Sequence, residues 1–591
     1  MKHFIRLLSL LLLGCSTNTL LAQSNDLGSK KIVHKTFYPS SIESSTTGTL
    51  ITFDKVYFGK LLLKLKATQK DTIYVTIGEK KTPNNTVDIH PPGAVRFLID
   101  TLVIEKGDHE YEIKIPAFEP PAWAKNNNYY IPLPPEIGNI MPFRFVEIKG
   151  FTEKIDSTNL QQIGYFYPFN DSASACITSS DEINQIWDLC KHSIKATSFC
   201  GLYIDGDRER RPYEADAYIN QMSHYAVDAE FSLARKTIDH LALFPTWPTE
   251  WLFHVPMMLW EDYKYTGNVT YIKKYYSHYA TLIKALPTDN NGLILNEKNN
   301  DIIDWPQGER DGYQLGKINN VPNAFYYNSL VIQSQIAGVL GLTNDSLFFA
   351  KKAFKVKKAF NKAFWNEKKG LYIDAKDSLH SSIHANVFPI EFGLANKIKT
   401  TKVMPFIKSK GMAMSVYGAH YLLDMLYKVN EPDYAFQLLT ARNNRSWMNM
   451  ITQGTTITWE AWNADVKNNL DWNHAWGTAP ANIIIRRIFG IRPLKSGFET
   501  ATIEPQFNGL NQGSLKYPTI KGTIEITFAF KEENELQIQL KNNMPVQLLL
   551  PKNYTATTRI RINSKVIKPK FIHKQLTLFL EKGESSIVIK R

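Results

Sequence analysis

A dense cluster of charges between residues 205 and 216 is the first feature of the sequence that could do chemistry. The stretch DGDRERRPYEAD holds five acidic and three basic residues in twelve positions and follows the mostly apolar run SFCGLYI. A run of charges is usually a solvated surface or a salt-bridged helix entry. A mixture of acids and arginines can instead hold one carboxyl protonated while its neighbours stay ionised, as general acid catalysis requires. The residue types alone leave both interpretations open.

Acidic residues and tryptophans also occur together between residues 455 and 476. The stretch TTITWEAWNADVKNNLDWNHAW combines four tryptophans with Glu460, Asp465, Asp471 and His474. A glutamate beside a tryptophan is often only the start of an amphipathic helix, but apolar walls around a carboxyl raise its pKa. Two carboxylates from distant chain positions, facing each other across an aromatic groove, are what the hydrolysis of a glycosidic bond requires.

Two further tryptophans lie among polar loop residues, Trp251 in TWPTEWLFHVPMMLWEDYKYTGN and Trp305 in DWPQGERDGY. Each could pack in a core or stack on a ligand. Eleven of the twelve tryptophans lie between Trp187 and Trp476. A groove that stacks planar side chains on sugar rings would produce this concentration, and so would a large helical core.

The patterning predicts a multidomain chain that positions these stretches. Residues 30–170 alternate in the manner of strands and predict an N-terminal β-sandwich domain. Residues 175–492 carry about a dozen amphipathic helical segments joined by long polar loops, typical of an all-α (α/α)6 toroid, with Ser180 as the N-cap of the first helix. Residues 493–591 return to strands and predict a C-terminal β-domain. The toroid is thus expected to carry the site on its loops, flanked by a β-sandwich domain at each end.

Residues 1–22 predict a signal peptide. Basic residues precede the apolar run Leu7–Leu13, which is too short to span a bilayer. The ending LLGC resembles a lipobox that would anchor Cys15 to lipid, whereas LLAQ offers simple cleavage after Ala22. Both endings predict export, to the periplasm or as an outer-membrane lipoprotein, and no later run predicts a membrane span. The mass of the mature N-terminus would separate the two endings.

The net charge of +13 fits either solubility or attraction to a polyanion. Nucleic acid is a poor candidate because no basic helix, zinc spacing or RNP-type motif accompanies the charge, whereas an acidic polysaccharide fits. Cys176, Cys190 and Cys200 show no metal-ligand spacing with histidine and are expected to be small buried side chains. No cofactor is predicted, and no ligand-spaced motif supports a structural calcium ion.

Four stretches in order resemble the α-L-rhamnosidases of glycoside hydrolase family 78. DGDRERRPYEADA is similar to the family motif D-C-P-x-R-(D)-E-R-L-G-W-T-G-D-A. The seven-residue step from Glu209 to Asp216 is kept, while Pro212 and Tyr213 replace Gly and Trp. The stretches TEWLFHVPMMLWEDYKYTGN, DIIDWP and SWMNMITQGTTITWEAW, followed by NHAW, continue the resemblance in collinear order.

The resemblance implies an exo-acting, inverting glycosidase that releases terminal L-rhamnose from an oligosaccharide or polysaccharide. It implies Glu209 as the general acid and Glu460 as the general base. It also implies a set of sugar-binding residues, which are Asp205, Arg208, Tyr213, Asp216, Trp251, Trp305 and His474. On this interpretation residues 205–216 are the rim of an active site.

Two other classes of function stay open. A polysaccharide lyase on an α/α toroid would need a tyrosine or histidine base, for which Tyr213 is available. A non-catalytic glycan-binding lipoprotein would keep the tryptophans but should have lost one of the two glutamates.

The charge of the substrate is a separate question. The net charge of +13 and the arginines beside the acid (Arg208, Arg210 and Arg211) favour an acidic, ulvan- or rhamnogalacturonan-like chain. The alternative is that these arginines only pair with Asp207, Glu214 and their neighbours.

Overall fold

The computed structural model describes residues 30–590 except 45–47, 126–128, 533–534, 552–553, 556, 569 and 573. The predicted signal peptide and the predicted lipid-anchor site Cys15 lie outside the described residues. Within the described part, no helix is long and apolar enough to cross a membrane.

The N-terminal domain is a sheet of eight strands, all paired antiparallel. Their order is β1-β8-β3-β7-β4-β5, with β2 and β6 also paired to β3. The long central strand β3 buries alternate leucines, among them Leu61, Leu63 and Leu65, which is the period-2 pattern that predicted strands here. One short helix, α1 (Ala122–Lys125), lies in the connection between β6 and β7. The strands are β1 (Val33–Phe37), β2 (Ser41–Ser44), β3 (Thr49–Ala67), β4 (Asp71–Gly78), β5 (Phe97–Ile104), β6 (Gly107–Glu112), β7 (Met141–Lys149) and β8 (Leu160–Phe166).

The central domain is helical, and successive helices pack as hairpins. The helices are α2 (Asp181–Ala196), α3 (Glu214–Val227), α4 (Ser232–Leu243), α5 (His254–Thr266), α6 (Thr270–Lys284), α7 (Asn320–Val339), α8 (Thr343–Phe364), α9 (Ile383–Glu391), α10 (Lys397–Lys410), α11 (Gly418–Lys428), α12 (Pro432–Leu439), α13 (Trp447–Thr452) and α14 (Ala479–Ile483). Short 3-10 turns lie at Ser157–Asn159, Thr197–Cys200, Trp251–Phe253, Gln307–Glu309, Ala475–Thr478 and Ser496–Phe498, and a π-helical turn lies at Ile484–Ile488.

Two observations confirm the predicted toroid. The last helix α14 packs against α2 and α3, so the chain of hairpins closes on itself. The first helix begins as predicted, because the Ser180 side chain accepts a hydrogen bond from the Ile183 amide. Its predicted apolar face, which includes Ile186, Trp187 and Cys190, is buried.

The C-terminal domain contains two sheets, ordered β12-β13-β17-β21-β20 and β19-β18-β22-β16-β15-β14-β9. The strands are β9 (Ala175–Thr178), β12 (Ile491–Lys495), β13 (Thr500–Ile503), β14 (Gln512–Thr519), β15 (Gly522–Glu532), β16 (Glu535–Asn542), β17 (Val546–Leu549), β18 (Arg559–Ile562), β19 (Lys565–Ile567), β20 (Lys570–Ile572), β21 (Gln575–Leu580) and β22 (Gly583–Lys590). A hairpin of β10 (Trp365–Asn366) and β11 (Leu371–Tyr372) lies in the helical domain. Strand β9 precedes the first toroid helix yet pairs with β14, because strand alternation does not specify which sheet a strand joins.

The toroid and the C-terminal domain share one apolar core. Phe507 and Phe528 stack with ring centroids 3.5 Å apart, and Phe489, which follows the last helical turn of the toroid, lies 5.9 Å from Phe528. Phe528 is buried in the same cluster as the toroid helices. The C-terminal sheets therefore cover apolar surface that the toroid would otherwise expose.

We predict that Phe528→Ala lowers the free energy of unfolding by about 3–5 kcal/mol, the usual cost of removing a buried aromatic ring. Urea denaturation followed by tryptophan fluorescence measures the change. Phe579→Ala in the same domain is the matched control, because Phe579 is exposed, and it should change stability by less than about 0.5 kcal/mol. Equal effects of the two substitutions would contradict a shared core at this position.

Candidate active site

The charged stretch at residues 205–216 is a buried loop leading into α3. Six of its eight charged side chains are buried, and the other two are partly buried. The loop closes on itself, since the Asp205 amide donates to the Arg211 carbonyl at 2.9 Å and the Asp205 Oδ1 accepts the Arg211 amide at 2.8 Å. Arg210 pairs with Asp207 at 2.8 Å. Burial excludes the solvated-surface interpretation of this stretch.

The second acidic stretch lies between α13 and the turn at Ala475–Thr478 and doubles back on itself. The His474 amide donates to the Thr458 carbonyl at 2.9 Å, and the Trp476 indole donates to the Glu460 carbonyl at 2.9 Å. Trp459 and Trp472 stack across the loop with ring centroids 4.8 Å apart. These contacts fix the backbone that carries Glu460 beside His474.

The two stretches meet at Gly206. The Asp207 amide donates to the Asn473 side-chain oxygen at 2.8 Å. A Cβ atom on residue 206 would lie 2.9 Å from the Asn473 carbonyl oxygen, so this approach requires glycine. The contact brings together two stretches that are far apart in the sequence. Arg208 and Glu460, for example, are separated by 252 positions.

Arg208 joins the two glutamates predicted to be catalytic. Its guanidinium binds Glu460 through two hydrogen bonds of 2.7 and 2.9 Å, and its Nη2 also donates to the Glu209 Oε1 at 3.0 Å. Lys467 adds a second cation 3.2 Å from the Glu460 Oε1. Burial alone would raise the pKa of Glu460, but Arg208, His474 and Lys467 hold that pKa below its ordinary value. Glu460 is therefore a carboxylate near neutral pH, the form a general base needs.

All nine predicted site residues line one pocket, with a volume of about 210 Å³. They are Asp205, Arg208, Glu209, Tyr213, Asp216, Trp251, Trp305, Glu460 and His474. The Tyr213 hydroxyl donates to the Glu209 Oε2 at 2.6 Å, and the Tyr213 ring meets the Trp251 ring edge-on at 5.6 Å. Their convergence is an observation of the structure, and the individual roles given to them stay predictions.

Two acids in the pocket differ in their hydrogen bonding. Asp205 lies in a buried position beside Glu209, and burial followed by the charge of Glu209 raises the pKa of Asp205 well above its ordinary value. Its Oδ2 has no hydrogen-bond partner among the described residues. Asp216 instead binds the His474 Nε2 at 2.6 Å. Asp205 therefore offers an unused polar atom to a ligand, whereas one oxygen of Asp216 is already occupied.

Glu460, Asp471 and His474 have the spacing of metal ligands, with one ligand atom from each lying within 4.8 Å of the others. The charges do not suit a cation. Burial alone would lower the pKa of His474, but Asp216 and Asp471 raise it well above its ordinary value, which favours the protonated ring over the neutral ring that binds a metal. Both oxygens of Glu460 already bind Arg208.

Several pocket residues were not predicted from the sequence: Trp123, Trp247, Ile302, Lys467, Asn469 and Trp476. Lys467, Asn469 and Trp476 lie within the tryptophan-rich stretch, and Trp247 lies four residues before Trp251, so proximity to the motifs could have indicated them. Trp123 had no such signal, because it belongs to the N-terminal domain.

The arginines beside the acid are not all in the pocket. Arg208 lines it, but Arg210 and Arg211 are buried behind it and are not among its lining residues. Arg210 pairs with Asp207, and its guanidinium lies 4.0 Å from the centre of the Phe118 ring. The argument that all three arginines favour an acidic substrate therefore does not hold for Arg210 and Arg211, because these two side chains do not line the pocket.

The sequence is similar to that of a protein described as an α-L-rhamnosidase from Alteromonas sp. (strain LOR). The two chains are 22% identical over 495 residues, which cover 75% of this chain and 53% of that protein. The chain thus spans about half the length of this curated relative.

Two solved structures share the fold. One is the α-L-rhamnosidase from Dictyoglumus thermophilum, with a TM-score of 0.78 at 18% identity over 95% of this chain and 64% of that chain. The other is the Streptomyces avermitilis α-L-rhamnosidase complexed with L-rhamnose, with a TM-score of 0.75 at 15% identity over 95% of this chain and 54% of that chain.

Family models match both the helical and the C-terminal part of the chain. The model of the bacterial α-L-rhamnosidase 6-hairpin glycosidase domain matches residues 171–488, and that of the bacterial α-L-rhamnosidase C-terminal domain matches residues 490–564. The first match alone covers more than half of the chain, and its six hairpins agree with the closed ring of helices. The protein is therefore a member of the bacterial α-L-rhamnosidase family.

Proposed function

We propose that this protein hydrolyses terminal α-L-rhamnosides. The observation that carries the proposal is the meeting of Glu209 and Glu460, from distant parts of the chain, in one small pocket with tryptophan walls. A pair of carboxyl groups flanking the scissile bond is the minimal machinery of glycoside hydrolysis. Neither role requires a metal or an organic cofactor.

In the proposed reaction Glu460 is the general base and Glu209 the general acid. The pairing of Glu460 with Arg208 and Lys467 keeps it ionised, so it can accept a proton from the attacking water. The Oε2 of Glu209 accepts a hydrogen bond from the Tyr213 hydroxyl. Glu209 would protonate the glycosidic oxygen. The leaving oxygen would replace Arg208 at the Glu209 Oε1.

Inversion of the anomeric centre is part of the proposal. Nη2 of Arg208 lies 3.0 Å from the Glu209 Oε1 and 2.9 Å from the Glu460 Oε1, so these two oxygens cannot be farther apart than those two distances together. This bound is below the separation of about 6.5–9.5 Å that inverting enzymes keep to admit a water and is closer to the separation of about 5–5.5 Å in retaining enzymes. A water therefore requires Arg208 to give up its contact with Glu209 when substrate binds.

The two other functions receive less support from the site. A lyase would use Tyr213 as its base, but burial and the neighbouring Glu209 raise the pKa of Tyr213 above its ordinary value, which disfavours the phenolate. A non-catalytic binding protein would not need Glu209 and Glu460 joined through one guanidinium. Hydrolysis of p-nitrophenyl α-L-rhamnoside, compared with release of unsaturated product from a uronate oligosaccharide, separates the three functions.

We further propose that the protein is exported and that its substrate is an acidic oligosaccharide or polysaccharide. The support for an acidic substrate is the net charge of +13 together with Lys467 in the pocket, since Arg210 and Arg211 do not contribute to it. The support for export remains the sequence pattern of residues 1–22.

Glu209→Gln should lower kcat for a natural oligosaccharide by at least about 10²-fold, the usual contribution of a general acid. The loss should be smaller for p-nitrophenyl α-L-rhamnoside, because a good leaving group needs less protonation. Glu230→Gln is the matched control: Glu230 is a buried acid just before α4 that accepts the Leu233 amide at 2.9 Å and does not line the pocket. Its effect should not depend on the leaving group. Near-native activity of Glu209→Gln on the oligosaccharide would refute the assignment.

Glu460→Ala should be inactive and regain cleavage of the rhamnosyl bond when azide is added, because azide can take the place of the activated water and form rhamnosyl azide while the leaving group departs with the proton from Glu209. Proton NMR of the wild-type reaction should show that the first sugar released has the inverted configuration. Azide should not rescue Glu309→Ala, since Glu309 is a buried acid paired with Arg445 outside the pocket. A first product with retained configuration would show that Glu460 is not a base of this kind.

The preference for acidic substrates should be visible as a salt effect. A positively charged protein attracts an acidic chain over a Debye length of about 10 Å at 0.1 M salt. We expect kcat/KM for a uronate-bearing rhamnoside to exceed that for a neutral one at low salt and to fall towards it as salt is added. Equal kcat/KM values for the two substrates, without salt dependence, would contradict the proposed preference for acidic substrates. They would not affect the proposal that the protein hydrolyses rhamnosides.

A further inference from the structure

Trp123 brings the N-terminal domain to the mouth of the pocket. It is the only one of the twelve tryptophans outside residues 187–476, yet helix α1 places it among the pocket-lining residues. Its side chain is 45% exposed, and Trp247, another lining residue, is 50% exposed. Other lining residues, such as Trp251 and His474, are buried. Trp123 and Trp247 therefore form an exposed aromatic rim of the pocket, here called the tryptophan rim.

The segment that carries Trp123 is held on the charged stretch by two consecutive arginines. The Arg211 guanidinium lies 5.4 Å from the centre of the Trp123 ring and 4.4 Å from that of Tyr129. The Arg210 carbonyl accepts the Ile131 amide at 2.8 Å. Cation–π contacts of this kind are strongest where water is excluded, and Arg211 is buried. The rim is therefore a positioned part of the site.

Trp247 is positioned from the toroid side. Its neighbour Thr246 donates its backbone amide to the Glu214 Oε1 at 2.8 Å, and the Thr246 hydroxyl binds the other carboxyl oxygen. The Trp247 ring meets Tyr213 edge-on with centroids 6.1 Å apart.

Tyr213 contacts Trp247, the proposed acid Glu209 and the arginine that contacts Trp123. The Arg211 guanidinium that contacts Trp123 also lies 5.0 Å from the centre of the Tyr213 ring, and the Tyr213 hydroxyl binds Glu209. Glu209 is thus connected through Tyr213 to both residues of the tryptophan rim. An acid that protonates a glycosidic oxygen must have the sugar on one side and the leaving group on the other.

We propose that Trp123 and Trp247 form the binding subsite for the leaving group, and that this group presents an apolar ring face to the rim. The inference rests on the proposed function. A ring face of this kind belongs either to the next sugar of an oligosaccharide or to an aromatic aglycone. In both cases the N-terminal domain would determine which rhamnosides are cleaved, while the buried lining residues would bind the rhamnose.

The test compares substrates with and without a leaving-group ring. Trp123→Ala and Trp247→Ala should each lower kcat/KM for a rhamnose-terminated disaccharide by about 10-fold, the scale of one aromatic contact. For α-L-rhamnosyl fluoride, whose leaving group has no ring, kcat/KM should stay within about twofold of wild type. Trp123→Phe should keep most of the activity on the disaccharide. Thermal unfolding of each variant should match wild type.

Tyr74→Ala is the matched control, because Tyr74 is 51% exposed on the N-terminal sheet and does not line the pocket. This substitution should change kcat/KM for neither the disaccharide nor the fluoride. A loss shared equally by disaccharide and fluoride, or no loss on either, overturns the inference. With p-nitrophenyl α-L-rhamnoside as a third substrate, a larger loss than for the disaccharide assigns the rim to aromatic aglycones, and a smaller one assigns it to a sugar. If the wild-type protein cleaves none of the three, the proposed function fails and the inference fails with it.

Discussion

The pairing of Arg208 with both Glu209 and Glu460 is the interaction on which the site depends. Two carboxylates brought this close in a buried pocket would repel each other, and one of them would take up a proton. A guanidinium that binds both oxygens of Glu460 at 2.7 and 2.9 Å keeps this carboxylate ionised, while Glu209 receives two longer hydrogen bonds of 3.0 and 3.3 Å on one oxygen. The same arginine thereby gives two chemically identical residues different environments, which is the condition for an acid and a base to act together.

Most of the other charged side chains of the stretch are buried and need partners nearby. An unpaired buried charge costs several kcal/mol, so each neighbour has a partner of its own. Asp207 binds Arg210, Asp216 binds His474, and Glu214 binds Thr246. Asp205 Oδ2 and Asp207 Oδ2 lack a hydrogen-bond partner among the described residues, and of these two side chains Asp205 lines the pocket. The many charged residues of this stretch thus form a network in which most charged side chains have an ion-pair or hydrogen-bond partner.

The N-terminal sheet domain completes this network on the side away from the toroid helices. Glu79 accepts a hydrogen bond from Asn473 at 3.1 Å, the Ala94 amide donates to the Leu470 carbonyl at 2.8 Å, and Arg96 pairs with Asp207 at 3.2 Å. Both acidic stretches therefore contact loops of the N-terminal domain, which is a separate sheet domain and not part of the helical ring. Arg210 and Arg211 take part in the same contact between domains, through the rings of Phe118 and Trp123. A β-domain that contacts both acidic stretches is also in a position to contribute residues to the pocket between them, as Trp123 does.

The sequence by itself determined the local features: strands at both ends, amphipathic helices between them, the N-cap at Ser180 and the two stretches in which the carboxyl groups lie. Each follows from near neighbours in the chain, through side-chain alternation, helical spacing, capping and motif spacing. Together with the resemblance it also selected nine residues that share one pocket. The tertiary structure decided everything that depends on contacts between distant segments. These include the pairing of β9 with the C-terminal sheet and the ionised state of Glu460. They also include the positions of Arg210 and Arg211 outside the pocket and of Trp123 and Trp247 within it. No local pattern encodes them, because burial and the charges of residues far along the chain set both the pKa of a carboxyl group and the partner of an arginine.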